Sequence, residues 1–293
     1  MRQSNFNLAK QSIISFFNSQ DKQAYSFSDI SHILSQNRNF WKLSKNTTTP
    51  ELIRQLVRAE LLTPLILQFS PSKKFKRYTL SNCTIFSLAM SLDSNAYFSH
   101  YTAMFIHNLT VQLPKIVYIN IEQPSKGEGG SALTQDSITR AFSRPQRQSN
   151  AFFNFNEMRL CLLNGKNTGN LGVITNKLYE NTTVSVTSIE RTLIDIAVRP
   201  SYAGGVGQVI SAYKTAQPIV SINKLTQLLT KLNYVYPYHQ AIGFYLERSG
   251  VYSVEQISII ENQFKREFDF YASYNIINSD YSSRWKLFYP KGL

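Results

Sequence analysis

Apolar residues recur at helical spacing three times within the first 62 residues. Across 8–19 (LAKQSIISFFNS), Leu8, Ile13, Phe16 and Phe17 fall broadly on one side, which predicts an amphipathic helix. A second helix is predicted behind Ser26 or Ser28 as its cap, with Ile30, Ile33 and Leu34 as the inner face. The third has the clearest punctuation. Thr49 fits the N-cap, Pro50 the first helical position, and Glu51 the positive end of the helix dipole. Leu52, Leu56, Val57 and Leu61 then form a stripe, with Arg54, Gln55 and Arg58 on the other side. Next, two β-prone runs, 65–69 and 75–80, flank a Ser-Pro-Ser turn and predict a hairpin.

Beyond Leu80 the texture changes. Residues 81–110 read as helix, turn, helix, with Ser99 capping the second helix. Short β-branched or aromatic runs predict strands at 116–121, 152–155, 159–163, 171–175 and 182–187, with a polar loop over 123–135. Helices follow near 203–216, 221–232, 238–249 and 254–267, and 285–289 closes the chain as a strand. There is no internal repeat and no low-complexity segment. The pattern predicts an α+β protein. Residues 1–80 form an N-terminal winged helix-turn-helix, and 81–293 form a larger α+β C-terminal domain. Within that domain, 81–187 is mixed and the back half, 188–293, is mainly helical.

Composition supports a folded chain. With 293 residues, 43% hydrophobic and 17% charged, it has the material for about two domains and a sizeable core. Two distant cysteines, Cys83 and Cys161, give neither a disulfide framework nor zinc-ligand spacing and suit a reducing compartment. The sequence has no signal peptide and no membrane-spanning run, so a cytoplasmic protein without membrane contact is expected.

Charge changes the picture more. The net charge is +13, and residues 1–80 carry twelve Lys/Arg against four Asp/Glu, whereas 81–293 carry nineteen against fourteen. A basic surplus concentrated on a small unit points to a polyanion. In a winged helix the third helix fits the major groove of double-stranded DNA, and the hairpin, or wing, contacts flanking backbone. Lys45, Thr48, Thr49, Arg54, Gln55 and Arg58 are the candidate groove-side residues. Lys73, Lys74, Lys76 and Arg77 on the hairpin are the candidates for neutralising phosphates. The same module can alternatively dock a protein.

Catalytic signatures are weak. His100 and His107 lie seven apart on one helical face without a nearby acid or cysteine, a poor metal site. Gly130-Ser131 with Asp136 has the outline of a nucleotidyltransferase motif but lacks the second acid, because position 138 is Ile138. Ser99 and Ser131 lack a nucleophile-elbow setting. Glu261 and Lys265 are spaced as an i,i+4 surface ion pair. No catalytic residue, cofactor or metal is expected, and the chain reads as a non-enzyme.

The stretch VTSIERTLIDIAVRPSYAGGVGQV, 186–209, is the most crowded with charge and glycine. Thr187 and Glu190 have capping-box spacing, and Ile189, Leu193, Ile196 and Ala197 form a buried stripe. Arg191 and Asp195 are expected to pair weakly on the exposed side, and Pro200 to end the helix. Gly204, Gly205 and Gly207 follow no strand, so they suit a tight turn rather than a dinucleotide loop.

This stretch closely resembles one in AbiEi-type antitoxins: Ser-x-Glu-Arg-Thr-Leu-x-Asp, then Arg-Pro, then a Gly pair. YFSHYTAMFIHNLT (97–110) and YHQAIGFYLERSG (238–250) resemble two further segments of that family, in the same order. The resemblance covers most of the chain. It implies an antitoxin of a type IV toxin-antitoxin (abortive-infection) system. Its N-terminal domain would repress its own operon at the promoter, and its C-terminal domain would counteract a nucleotidyltransferase toxin without having to grip it. The chain departs from the family at His239-Gln240-Ala241, where relatives often carry arginines, and at Phe244 beside Tyr245. Two alternatives stay open: a winged-helix regulator without a toxin, and a nuclease with dispersed acids.

Overall fold

A computed structural model describes residues 5–125 and 132–293. The chain is a mixed α+β protein with eleven α-helices and three sheets among the described residues.

The first unit runs α1 (Asn5–Asn18), β1 (Ala24–Tyr25), α2 (Phe27–Asn37), α3 (Thr49–Arg58), β2 (Thr63–Ser70) and β3 (Lys73–Thr79). Its three strands lie in the order β1-β3-β2, all antiparallel. Ser26 caps α2 in a full capping box: its hydroxyl accepts from Asp29 N, and the Asp29 carboxylate accepts from Ser26 N. Burial opposes ionisation of Asp29, but the Lys22 ammonium and the Ser26 donors hold its pKa below the ordinary value. For α3 the N-cap is Thr48 rather than Thr49, with Pro50 in the first turn. Ile13, Phe17, Ile30, Leu34, Leu52 and Leu56 meet in one core around Trp41 and Tyr25. Ile53 is buried as well, whereas Val57 and Leu61 only pack against this core.

The second unit carries a six-stranded mixed sheet, ordered β6-β7-β5-β4-β9-β8. Its strands are β4 (Tyr97–Phe98), β5 (Ile116–Asn120), β6 (Phe152–Phe155), β7 (Met158–Leu163), β8 (Val173–Tyr179) and β9 (Thr182–Thr187). β5 runs parallel to β7, and β4 runs parallel to β9. Helices α4 (Ile85–Met90), α5 (His100–Ile106) and α6 (Gln135–Phe142) lie among these strands. α6 starts where the stretch assigned to a loop, 123–135, ends, in residues for which the spacing predicts no element; Thr134 caps it in a capping box with Ser137.

Strand alternation splits the sheet into two faces. Phe98, Val117, Ile119, Leu160 and Leu162 face a core that also takes in Leu67 and Phe69 of β2. Register pairs Tyr97 with Asn120, Tyr118 with Cys161 and Asn120 with Leu163 on the opposite face. The hairpin therefore belongs to two bodies. Its strand β3 pairs with β1 of the first unit, while Phe69 packs against Phe75 and, 6.2 Å away, Phe153 of β6.

The back half holds α7 (Ile189–Val198), a 3-10 turn (Pro200–Tyr202), α8 (Val206–Ala216), α9 (Ile222–Leu232), α10 (Tyr238–Arg248) and α11 (Val254–Gln263). A small sheet follows, made of β10 (Phe270–Tyr271), β11 (Ser279–Ser282) and β12 (Leu287–Pro290) in the order β10-β12-β11. Gly204 and Gly205 adopt positive φ at the entry to α8, as a tight turn requires. The Trp285 ring packs against α10 at Gly243, where an added Cβ would stand 2.1 Å from it. Gln240 locks the same tail by donating from Nε2 to the carbonyls of Phe268, Trp285 and Lys286.

The sequence reading of α7 needs correction. Its N-cap is Ser188, whose hydroxyl accepts from Arg191 N. Thr187 instead pairs its hydroxyl with that of Thr192, and Glu190 accepts from Ser221 N, so the two do not close a capping box. Arg191 and Asp195 are buried, with side chains 5% and 7% exposed, and bond at 2.8 Å. A helix enclosed on nearly all sides has no exposed stripe to hold a weak pair. Glu261 likewise bonds Arg266 and Arg284 rather than Lys265.

Candidate functional site

The sequence-predicted basic residues divide into two groups. Along α3, Leu52, Ile53 and Leu56 are buried, and this turns Arg54 and Arg58 outward. Both are exposed, and among the described residues neither forms a hydrogen bond or ion pair. Lys45 and Thr48 are exposed just ahead of the helix; Thr49 is half-buried, and the Thr48 hydroxyl is occupied as the cap of Glu51 N. Gln55 does not belong to this face. It is half-buried beside Phe6 and Lys10 of α1, with its Oε1 enclosed, because its position on the helix points toward α1.

The hairpin divides by alternation. Lys74 and Lys76 are exposed on its outer face with Ile66 and Gln68, while Phe75 and Arg77 face inward. Lys76 sits over the Tyr78 ring at 5.5 Å. Arg77 is a correction to the phosphate set. It is buried, and its guanidinium donates to the carbonyls of Ser91, Leu92 and Lys76. Burial lowers its pKa, and the carboxylates of Asp29 and Asp93 oppose that shift. Lys73 also turns away from the outer face and donates to Asn164 Oδ1 at 3.2 Å. The outward cationic surface is therefore Lys45, Arg54, Arg58, Lys74 and Lys76.

A second feature has no counterpart in the sequence reading: a cleft of about 950 Å³ on the Tyr118/Asn120 face of the six-stranded sheet. The carboxyl ends of parallel strands β5 and β7 open into it, and α7 forms one wall. Asn120 lies at its floor: its Nδ2 donates to Tyr97 Oη at 2.6 Å, and its Oδ1 accepts from Gly165 N at 2.8 Å. Tyr97 in turn donates to Glu122, which also accepts from Thr168 and Asn170. Burial would raise the Glu122 pKa, but these donors outweigh it and hold the carboxylate below its ordinary value.

Arg191 enters the floor from α7 and binds Asp195, Thr168 Oγ1 and the Leu171 carbonyl. Burial alone would lower its pKa, yet the Asp195 carboxylate drives a net rise. His100 lines the cleft against Tyr202, 5.3 Å between rings, and shares a hydrogen bond with Ser99 Oγ. Burial pushes its pKa down to about 4, so the ring is neutral near pH 7. His107 lies elsewhere, bonded to the Thr187 carbonyl and Lys177. The two histidines do not form a joint site.

Four further cations reach the cleft from separate segments: Lys73 from the hairpin, Arg147 from the loop before β6, Lys166 from the β7–β8 loop, and Arg199 from the end of α7. No linear spacing unites them, so no motif marks them. The available signal is positional: two short apolar strands, IVYIN and MRLCLL, each run on into polar residues at their carboxyl ends. Gly130 and Ser131 lie outside the described residues, and Asp136 sits in the first turn of α6. Among the described residues, no three His, Cys, Asp or Glu side chains converge as a metal site, and no helix is long and apolar enough to cross a membrane.

No family model matches the chain, and no curated protein does either. The crystal structure of RV2827C protein from Mycobacterium tuberculosis is similar in fold. The likeness covers 96% of this chain and 91% of that one, with a TM-score of 0.58 at 12% sequence identity.

Proposed function

We propose that this protein is a DNA-binding antitoxin of the AbiEi type, with a winged-helix unit at 1–80 that represses its own operon. The observation that carries the DNA-binding half is that α3 and the hairpin each turn cations outward that no acid among the described residues pairs. Arg54 and Arg58 stand one helical turn apart on the face of α3 away from the core, and Lys74 and Lys76 line the outer face of β3. A helix with unpaired guanidinium groups suits base edges in a major groove, and lysines on a hairpin strand suit phosphates. Thr48 and Lys45 adjoin the helix N-terminus, where backbone N–H groups favour a phosphate. Arg77, Gln55 and Lys73 are left out of this surface because each already faces the protein.

The antitoxin half rests on the resemblance of 186–209, 97–110 and 238–250 to that family. On this reading the chain acts without catalysis or cofactor in the cytoplasm, and its functional partner is a nucleotidyltransferase toxin. Two experiments test the proposal. Fluorescence anisotropy with the operon's own promoter fragment tests DNA binding, and tight, salt-sensitive binding that falls with Lys74→Glu/Lys76→Glu is expected. Co-expression with the adjacent gene tests antitoxicity: rescue of growth supports it, and unrelieved toxicity refutes it.

A further inference from the structure

The large cleft is unused by the DNA-binding surface, and its chemistry is uneven. Lys73, Arg147, Lys166 and Arg199 converge on it from four segments, and Arg191 lies at its floor. The two acids that line it, Glu122 and Asp195, are both committed internally, to Thr168 and Tyr97 and to Arg191 respectively. A cleft lined by these five cations and only two acids, one of them ion-paired to Arg191, keeps a net positive charge and selects an anion. Its volume of about 950 Å³ is far more than a lone phosphate fills and suits a ligand of drug size or larger.

The uncharged groups narrow the class. Tyr202 and Tyr234 supply ring surface, and Lys166 stands 5.6 Å from the Tyr234 ring centroid. Gln148, Asn150 and Asn164 supply paired amide donors and acceptors at the same cleft, the equipment for hydrogen-bonding a heterocycle edge. The site lies beyond the carboxyl ends of the parallel pair β5 and β7, the usual ligand position in sheets with parallel strands. We propose that this cleft binds a nucleotide, with its phosphates held by Arg147, Arg199 and Lys166 and its base set among the tyrosine rings and side-chain amides. Arg199 also donates to the Arg147 carbonyl at 2.8 Å, so it fixes the loop that carries Arg147. Lys73 connects the same cleft to the hairpin.

Isothermal titration of the full chain with ATP, GTP, CTP and UTP tests this, with pyrophosphate and a five-nucleotide single strand as separate arms. At least one nucleotide is expected to bind with micromolar Kd, at least tenfold more tightly than pyrophosphate, and Arg147→Glu/Lys166→Glu should weaken it at least tenfold. Arg147 and Lys166 are exposed, but Lys166 also donates to the Leu232 and Asn233 carbonyls at 2.9 Å, so a native circular dichroism spectrum and a cooperative melt, rather than an unchanged melting temperature, show that the variant is folded. Pyrophosphate binding as tightly as every nucleotide, binding confined to the oligonucleotide, no binding at 1 mM, or indifference to the double variant in a folded chain would each overturn the proposal. No DNA duplex takes part, so failure here leaves the DNA-binding reading standing.

Discussion

Arg77 and Arg191 are both arginines whose sequence neighbours suggest a surface role, and both are buried and bonded to protein oxygens. The Arg191–Asp195 pair sets a clear expectation. Replacing Asp195 by Ala leaves a buried guanidinium with only neutral partners, a change that costs about 3–5 kcal/mol in comparable buried pairs. Urea unfolding should show that loss, and a change under about 1 kcal/mol would mean the pair is solvent-screened. The half-buried His100 gives a pH dependence. His100 titrates near 4 when folded and near 6.5 when unfolded, so below pH 6.5 the unfolded chain takes up the proton first. Stability should therefore fall as pH drops from 6.5 toward 4. The His100 share is about 1–2 kcal/mol once water in the cleft is allowed for. His100→Asn tolerates the positive φ of 52° and should flatten part of that fall, with His239, also lowered to about 4, leaving a remainder. An unchanged acid limb in the variant would contradict the assignment.

Element by element, legibility followed the strength of local punctuation. The helices α1, α2 and α3 and the strands β5, β7 and β9 stand close to where spacing and caps place them, because each carries buried residues at its own period; β6 stands in place too, on half-buried phenylalanines. The two-residue strands β1 and β4 are illegible, since neither is long enough to show an alternation; their pairing partners define them. α6 was hidden in a polar run, and its capping box at Thr134–Ser137 was the available clue. Alternation along β3 was equally available and separates Lys74 and Lys76 from Lys73 and Arg77, which a count of basic residues merges. The cleft was beyond reach because its cations are far apart in sequence and only the sheet order joins them. The YHQAIGFYLERSG segment gains a physical reason at Gly243, where the Trp285 ring needs the space of a missing side chain. Gly243→Ala should thus destabilise by about 3 kcal/mol or more despite the better helix propensity of Ala. A rise in melting temperature would contradict that packing.

Across the whole molecule, the hairpin links the N-terminal unit to the body. Leu67 and Phe69 sit in the same core as Val117, Leu160 and Val186, while β3 pairs with β1 on the other side. The basic surface is thereby held on a rigid base, which favours a DNA surface whose shape is set before binding. Phe69→Ala should remove about 3–5 kcal/mol by truncation of a buried ring, and calorimetry on the full chain should show a lowered melting temperature. DNA affinity at low temperature should fall with it if the core holds the hairpin in place.

The central claim is that α3 and the outer hairpin face bind DNA, and the most direct test is the salt dependence of promoter binding by four full-length proteins. Wild type, Lys74→Ala/Lys76→Ala, Arg54→Ala and Arg77→Ala are titrated over a range of salt concentrations, against promoter and unrelated duplex. The lysine pair should weaken both duplexes alike and reduce the slope of log K against log salt by about 0.9 for each phosphate no longer neutralised. Arg54→Ala should chiefly lower the preference for promoter, by about 1–3 kcal/mol. Arg77→Ala should lower thermal stability, since its guanidinium is bonded inside the protein, and leave the salt slope of the folded chain at the wild-type value. A slope that ignores the lysine pair, or that changes only in Arg77→Ala, would contradict the account.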